Sequence, residues 1–395
     1  MNRCIPYPKC SLPTTLANSL FRFTGQALLS WLLFSGLAYH HPCHAWGFFA
    51  HKHINRLAVF TLPPEMIGFY KHYIIYLAEN AINPDARRYA VKDEAPRHFL
   101  DADVYDQIYG KGRAVYELPR YWKDAVEVFT EDTLMAYGIV PWHIERMKYR
   151  LINAFEAGDT KAILRISADL GHYIADANVP LHTTENYNGQ LSGQIGIHGF
   201  WESRLPELFF EGYDFFVGKA TYLKNTQLAA WDAVILAHTA LDSVLSFEKT
   251  LTTRFDESRK FTYEERNKIT IRTYSRPFSE AYHQMLGGQV ERRLRASIKM
   301  VGDFWYTCWV EAGKPDLNKL LDKEYDEQKD QELQEEKEQW KNQEIQTRPH
   351  EIALATDPHH PNPAPYLPKS NRNCCQYNPL PNYYKKFIST AKNER

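Results

Sequence analysis

Hydrophobic positions recur at helical spacing through most of the chain. Between residues 64 and 312, apolar side chains fall three and four apart in several long amphipathic stretches, and alternating β-branched runs are few. The pattern predicts an all-α fold. In residues 141–158, Ile144, Met147, Leu151 and Phe155 share one face, Pro141 stands where proline suits a helix start, and Gly158 and Asp159 end the run. A helix of about four turns is expected there. Residues 160–176 place Ile163, Ile166, Leu170 and Ile174 on a second stripe. Residues 223–251 and 278–312 predict two further long helices, with Gly287 and Gly288 interrupting the last.

The two ends of the chain have a different pattern. Arg3, Lys9 and Arg22 precede an apolar run at residues 27–39, which is too short to span a bilayer comfortably. With Cys43 and Ala45 as small residues before a break, residues 1–45 read as an export signal, leaving Trp46 as the mature N-terminus and the protein periplasmic or extracellular. The alternative is an uncleaved anchor. Residues 46–312 then form the helical domain, with no membrane span in the mature form. Residues 313–346 are dense in Glu, Gln, Asp and Lys and read as a solvated arm; residues 347–395, rich in Pro, Asn and Tyr, read as a disordered tail. His359 and His360 in that tail are a solvated pair or a minor metal contact.

Composition narrows the function only a little. At 44% hydrophobic and 24% charged, the 395 residues are ordinary globular usage. Removing residues 1–45 takes away three basic residues and no acidic ones, so the net charge falls from -1 to -4. A protein that holds nucleic acid mainly through a basic surface is disfavoured; a metal-dependent nuclease is not. Cys308, Cys374 and Cys375 remain as an odd set and imply no disulfide framework.

The chemistry lies in pairs spaced four apart. His172 with Asp176, and His198 with Glu202, each put an imidazole and a carboxylate on one helix face, where both can meet one metal ion. His182 follows after Pro180 ends the first of these helices, and a glycine-rich stretch leads on to His198. Upstream, His51 stands five residues after Trp46, and Asp85 and His98 add a carboxylate and an imidazole. So many ligands suit more than one zinc, since each takes about three to four. Imidazole dominates the set and no cysteine belongs to it, which favours zinc over calcium, magnesium or an iron-sulfur centre.

Behind an export signal and an N-terminal tryptophan, the spacing His172-x3-Asp176-x5-His182 followed by His198-x3-Glu202 resembles the superfamily of zinc-dependent phospholipases C and single-strand-specific zinc nucleases. The resemblance runs from Trp46 to about Glu207 and implies three zinc ions. His98, His172 and Asp176, with Asp85 nearby, would hold the first. His182, His198 and Glu202 would hold the second. The amine and carbonyl of Trp46, with His51 and a bridging Asp176, would hold the third. His53 competes for the role of His51, and Asp93 and Glu94 for that of Asp85.

In such a site a metal pair lowers the pKa of a water toward neutrality, so that hydroxide can attack phosphorus in line. Asp85 would orient or deprotonate it, and Arg88 could grip the phosphate, with Arg87 equally available. Asp101, Asp103 and Asp169 could support the ligating histidines. Phe48, Phe49, Phe200 and Trp201 line a pocket or pack in the core. Glu202 resembles the phospholipase branch; Asp85-x2-Arg88 and Trp46-Gly-x3-His51 resemble the nucleases. The expected activity is hydrolysis of a phosphodiester, in a phospholipid head group at a membrane surface, or alternatively in single-stranded nucleic acid or a 3′-nucleotide. A non-catalytic, zinc-stabilised surface binding protein is the reading from another class.

Overall fold

The computed structural model describes residues 48–266, 269–321, 334–335 and 337–339. Outside the described residues lie the segment read above as an export signal, Trp46, most of the residues read as an arm, and those read as a tail, with His359, His360, Cys374 and Cys375.

Six helices frame the described structure: α1 (Phe48–Ala58), α2 (Val140–Ala157), α3 (Thr160–Ala177), α4 (Thr226–Arg254), α5 (Arg276–Met285) and α6 (Gln289–Glu311). Shorter helices and 3-10 turns punctuate the connections. The ends of the long helices follow from local chemistry. Gly158 stops α2 in the left-handed region at φ 59°, and the Asp159 side chain then accepts from the Ala162 amide at 3.0 Å to start α3. Asn225 caps α4 in the same way, accepting from Leu228 N at 2.9 Å. Gly287 and Gly288, at φ 55° and 77°, separate α5 from α6.

α3 lies at the centre, packed by α1, α2 and α6. Every residue of α3 from 167 to 177 is buried. A helix buried on all sides cannot leave polar groups unpartnered cheaply, so Asp169, His172 and Asp176 in that stretch demand partners or a cation. Trp142, Trp201, Trp231 and Trp305 fill the core around it, and Trp305 Nε1 donates to the Ser167 carbonyl at 3.1 Å, fixing α6 on α3. α4 is long and apolar enough by composition to cross a bilayer, but it packs Trp231, Val234, Ala237 and Val244 into the same core.

Two departures from the sequence pattern stand out. Residues 261–274, expected within helical structure, form an antiparallel hairpin of β1 (Phe261–Arg266) and β2 (Ile269–Tyr274), with Phe261 opposite Tyr274. Thr262, Tyr263, Thr270, Ile271, Thr273 and Tyr274 are residues that favour a pleated surface, and a two-residue connection suits a hairpin. The folded body also continues past residue 312: Leu317–Leu320 forms a 3-10 turn with Leu317 and Leu320 buried. Beyond it, Lys337 Nζ donates to Asn80 Oδ1 at 2.9 Å.

Candidate metal centre

His51 sits on α1, buried, and its ring stacks on that of His172 at 3.9 Å. One turn on, Asn55 ties α1 down by donating to the carbonyls of Leu77 at 3.2 Å and Ala168 at 3.1 Å. Asp85 comes from the short helix Asn83–Arg87, and His98 from the 3-10 turn Ala95–His98. α3 supplies His172 and Asp176, the 3-10 turn Pro180–Thr183 supplies His182, and the helix beginning at Ile197 carries His198 and Glu202.

These residues form three abutting groups: His51, His172 and Asp176; Asp85, His98 and His172; His182, His198 and Glu202. In each, the potential ligand atoms lie within 4.8 Å of one another, and every member is buried. Asp176 is the hub. Its Oδ2 lies 2.9 Å from His98 Nδ1 and 3.2 Å from His172 Nε2, and its Oδ1 lies 3.4 Å from His51 Nε2 and 3.6 Å from His182 Nδ1. Asp85 Oδ1 stands 3.6 Å from His172 Nε2 and 3.7 Å from His98 Nδ1. In the third group His198 Nε2 is 3.1 Å from both His182 Nε2 and Glu202 Oε1.

The far side of the rings fixes which nitrogen faces inward. His172 Nδ1 donates to the Ala81 carbonyl at 2.8 Å, and His182 Nδ1 to the His98 carbonyl at 2.7 Å. Burial holds both imidazoles below their usual pKa, so each is neutral and presents a bare Nε2 lone pair to the centre. His98 is turned the other way, with Nδ1 inward and Nε2 3.8 Å from Glu94 Oε1.

The carboxylates make the case for a cation. Burial alone would raise Asp176, but at the low pH where it would take a proton His172 and His182 are themselves charged and hold it well below the carboxylate range; Asp85 is held down in the same way by His172, His98 and His51. Near neutral pH, where His172 and His182 are uncharged, a cation would take over that compensation. Neither oxygen of Asp85, nor Oδ1 of Asp176, accepts a hydrogen bond among the described residues. A buried carboxylate left so costs several kcal/mol unless an ion compensates it. Ligand atoms around a tetrahedral zinc, bonded at about 2.0–2.1 Å, stand about 3.3 Å apart. The nitrogen and oxygen separations above bracket that figure.

The residues left as alternatives by the sequence occupy distinct places. His53 is turned away from the centre, its ring 4.2 Å from Phe49 and 4.6 Å from Phe210. Arg87 forms a two-pronged pair with Asp169, at 3.3 and 2.9 Å, and donates to Tyr173 Oη at 3.2 Å. Arg88, buried, brings Nη1 to 3.9 Å from Asp85 Oδ1. Asp169 thus serves Arg87 rather than a histidine. Asp103 pins the loop after His182, accepting from Thr184 Oγ1 at 2.6 Å and the Glu185 amide at 2.9 Å. Phe200 and Trp201 pack in the core, Phe200 stacked on Tyr274 and Trp201 Nε1 donating to Gln289 Oε1 at 3.1 Å. Glu94, a competitor for the role of Asp85, is a buried partner of the His98 ring, itself held by Arg87, Arg97 and the Tyr173 hydroxyl. Its place four residues before His98 is the signal that could have found it.

No protein-family model matches the chain, and no curated protein matches it in sequence. Among solved structures the chain is similar to the alpha-toxin of an avian strain of Clostridium perfringens, with TM-score 0.42 and 15% identity over 68% of this chain and 65% of that one. It is likewise similar to the alpha toxin of Clostridium absonum, with TM-score 0.40 and 13% identity over 70% of this chain and 66% of that one. The chain therefore spans just under two thirds of the length of these two structures.

Proposed function

We propose that this protein is an exported zinc-dependent phosphodiester hydrolase of the phospholipase C type. The observation that carries the reading is the buried run of three abutting ligand groups joined through Asp176 and His172, an arrangement that suits several ions and has no use in a single structural site. Asp85, His98, His172, Asp176 and His51 would hold ions on one side, and His182, His198 and Glu202 on the other. Trp46, two residues before α1, would complete the set through its α-amine and carbonyl.

Zinc held there supplies Lewis-acid polarisation of a phosphoryl oxygen and a water acidic enough to ionise near neutral pH. The rest of the chemistry belongs to the chain. Asp85, ionised and without hydrogen bonds to its oxygens among the described residues, would orient a water for attack on phosphorus and receive its proton as that water is acidified. Arg88, next to it, offers a planar fork that matches two phosphate oxygens. Arg87 cannot take that role, being committed to Asp169.

A second reading, a single-strand-specific nuclease or 3′-nucleotidase at the same centre, is favoured by the placement of Arg88 against Asp85, the feature shared with that branch in sequence. The test is turnover by the zinc-loaded chain beginning at Trp46 on phosphatidylcholine vesicles, single-stranded DNA, single-stranded RNA and 3′-nucleotides. Hydrolysis of the vesicles supports the phospholipase reading, and hydrolysis of the nucleic acids or nucleotides alone replaces it with the second. Zinc bound without turnover of any of them would leave a binding protein.

A further inference from the structure

The helix that carries His198 and Glu202 is not regular. Ile197–Gly199 is α-helical, Phe200–Arg204 widens into a π-helical turn, and Leu205–Phe209 returns to the α form. A π turn is a rare, poorly favoured backbone state that persists where its surroundings hold it, often beside a functional group. Glu202 is the middle residue of this one.

Both ends of the turn are gripped by the β-hairpin. Phe200, its first residue, stacks on Tyr274 at the end of β2, with ring centroids 3.8 Å apart and planes 15° apart. Arg204, its last, makes a two-pronged ion pair with Glu264 in β1, Nη1 to Oε2 at 2.8 Å and Nη2 to Oε1 at 2.5 Å. Such a fork-to-fork pair, with the arginine side chain only 8% exposed, fixes direction as well as distance. The base of the hairpin is itself anchored. Lys260 Nζ lies 2.8 Å from Glu248 Oε1 on α4, and the Tyr274 hydroxyl donates to the same oxygen at 3.3 Å. Glu248 Oε2 accepts from Gln194, in the loop that leads into His198.

We propose that the hairpin is a clamp that sets the His182, His198 and Glu202 metal site, with Glu264 and Tyr274 as positioning residues acting through Arg204 and Phe200. The inference rests on the zinc reading above. Releasing either end lets the turn relax toward the α form, which rotates the Glu202 carboxylate relative to His198 and withdraws it from its place 3.1 Å from Nε2.

The test is equilibrium dialysis against buffered zinc, with metal analysis, on the full chain, Glu264→Gln and the double charge exchange Arg204→Glu with Glu264→Arg. Glu265→Gln, an exposed neighbour on the same strand, is the control. Glu264→Gln is expected to weaken one class of ion about 10- to 100-fold, leave the other ions and the thermal unfolding of the metal-free protein unchanged, and recover in the charge exchange. Glu264→Gln that binds every ion as the unaltered chain does, or that weakens all of them equally, overturns the clamp while leaving the zinc reading intact. Failure of the unaltered chain to take up zinc overturns both.

Discussion

Gly171 on α3 faces Asn55 on α1 so closely that a Cβ at residue 171 would stand 2.0 Å from the asparagine Oδ1. Alanine inside a helix ordinarily stabilises by about 0.5–1 kcal/mol over glycine. Here the contact decides the sign, because Asn55 is held by two carbonyls and cannot swing away without giving them up. Gly171→Ala should lower stability by about 1–3 kcal/mol and push α1, with His51, away from His172 and Asp176. Denaturant unfolding and zinc content check this together. Unchanged stability with full zinc content would show that α1 can shift without disturbing the centre.

The catalytic assignment predicts a split between turnover and metal. Asp85→Asn keeps the shape of the side chain but removes its ability to take a proton, so turnover should fall by about 10²–10⁴ with a smaller loss of zinc. Arg88→Lys keeps the charge and loses the fork, and should raise KM more than it lowers kcat. Near-normal turnover in Asp85→Asn would remove Asp85 from the chemistry.

How much of this was legible in the sequence depends on whether a partner has a side-chain signature. The candidate ligands could be read because i, i+4 spacing is a property of the helix itself, and Pro141, Gly158, Asp159 and Asn225 mark the start and end of α2 and the starts of α3 and α4. The carbonyls of Ala81 and His98, which orient His172 and His182, have no signature, since any residue supplies a carbonyl. Spacing alone does not separate Glu94 from Asp85; the 3-10 turn between Glu94 and His98 leaves that carboxylate on the Nε2 side of the ring, opposite the side that faces Asp176 and Asp85. The hairpin was hidden by its charges: Glu264, Glu265 and Arg266 break up the apolar alternation, and one of them is spent on Arg204.

His143 predicts a pH dependence of stability. It is buried on α2 with its ring 4.5 Å from that of Tyr173, and neither nitrogen has a hydrogen-bond partner among the described residues. Burial, then the nearby Arg97, hold its pKa well below the ordinary 6.5. A histidine depressed in the folded state is neutral there and charges more readily when unfolded. Its stabilising share is therefore present above about pH 6.5 and is lost as pH falls, at up to about 1.4 kcal/mol per pH unit. In metal-free protein, His143→Phe should match the unaltered chain in thermal unfolding at pH 7.5 and exceed it at pH 5. Parallel losses in the two proteins on acidification would mean that His143 does not contribute.

The last prediction ties export to the centre. α1 begins at Phe48 and delivers His51 to within 3.4 Å of Asp176, so a chain that begins at Trp46 would start two residues upstream of a helix already fixed at the centre. A free α-amine has a pKa of about 7.7–8.0, and zinc can displace its proton near neutral pH, whereas the amide nitrogen of an uncut precursor is a poor ligand. Cleavage after Ala45 would then be the activating step. A chain that retains one extra methionine before Trp46 should bind less zinc and turn over poorly, while one processed to begin at Trp46 should be fully loaded and active. The effect should be confined to the ion near His51, because the His182, His198 and Glu202 group has its own ligands. Equal zinc content and equal rates in the two chains would dismiss the N-terminal ligand and leave His51, His172 and Asp176 to hold that ion by themselves.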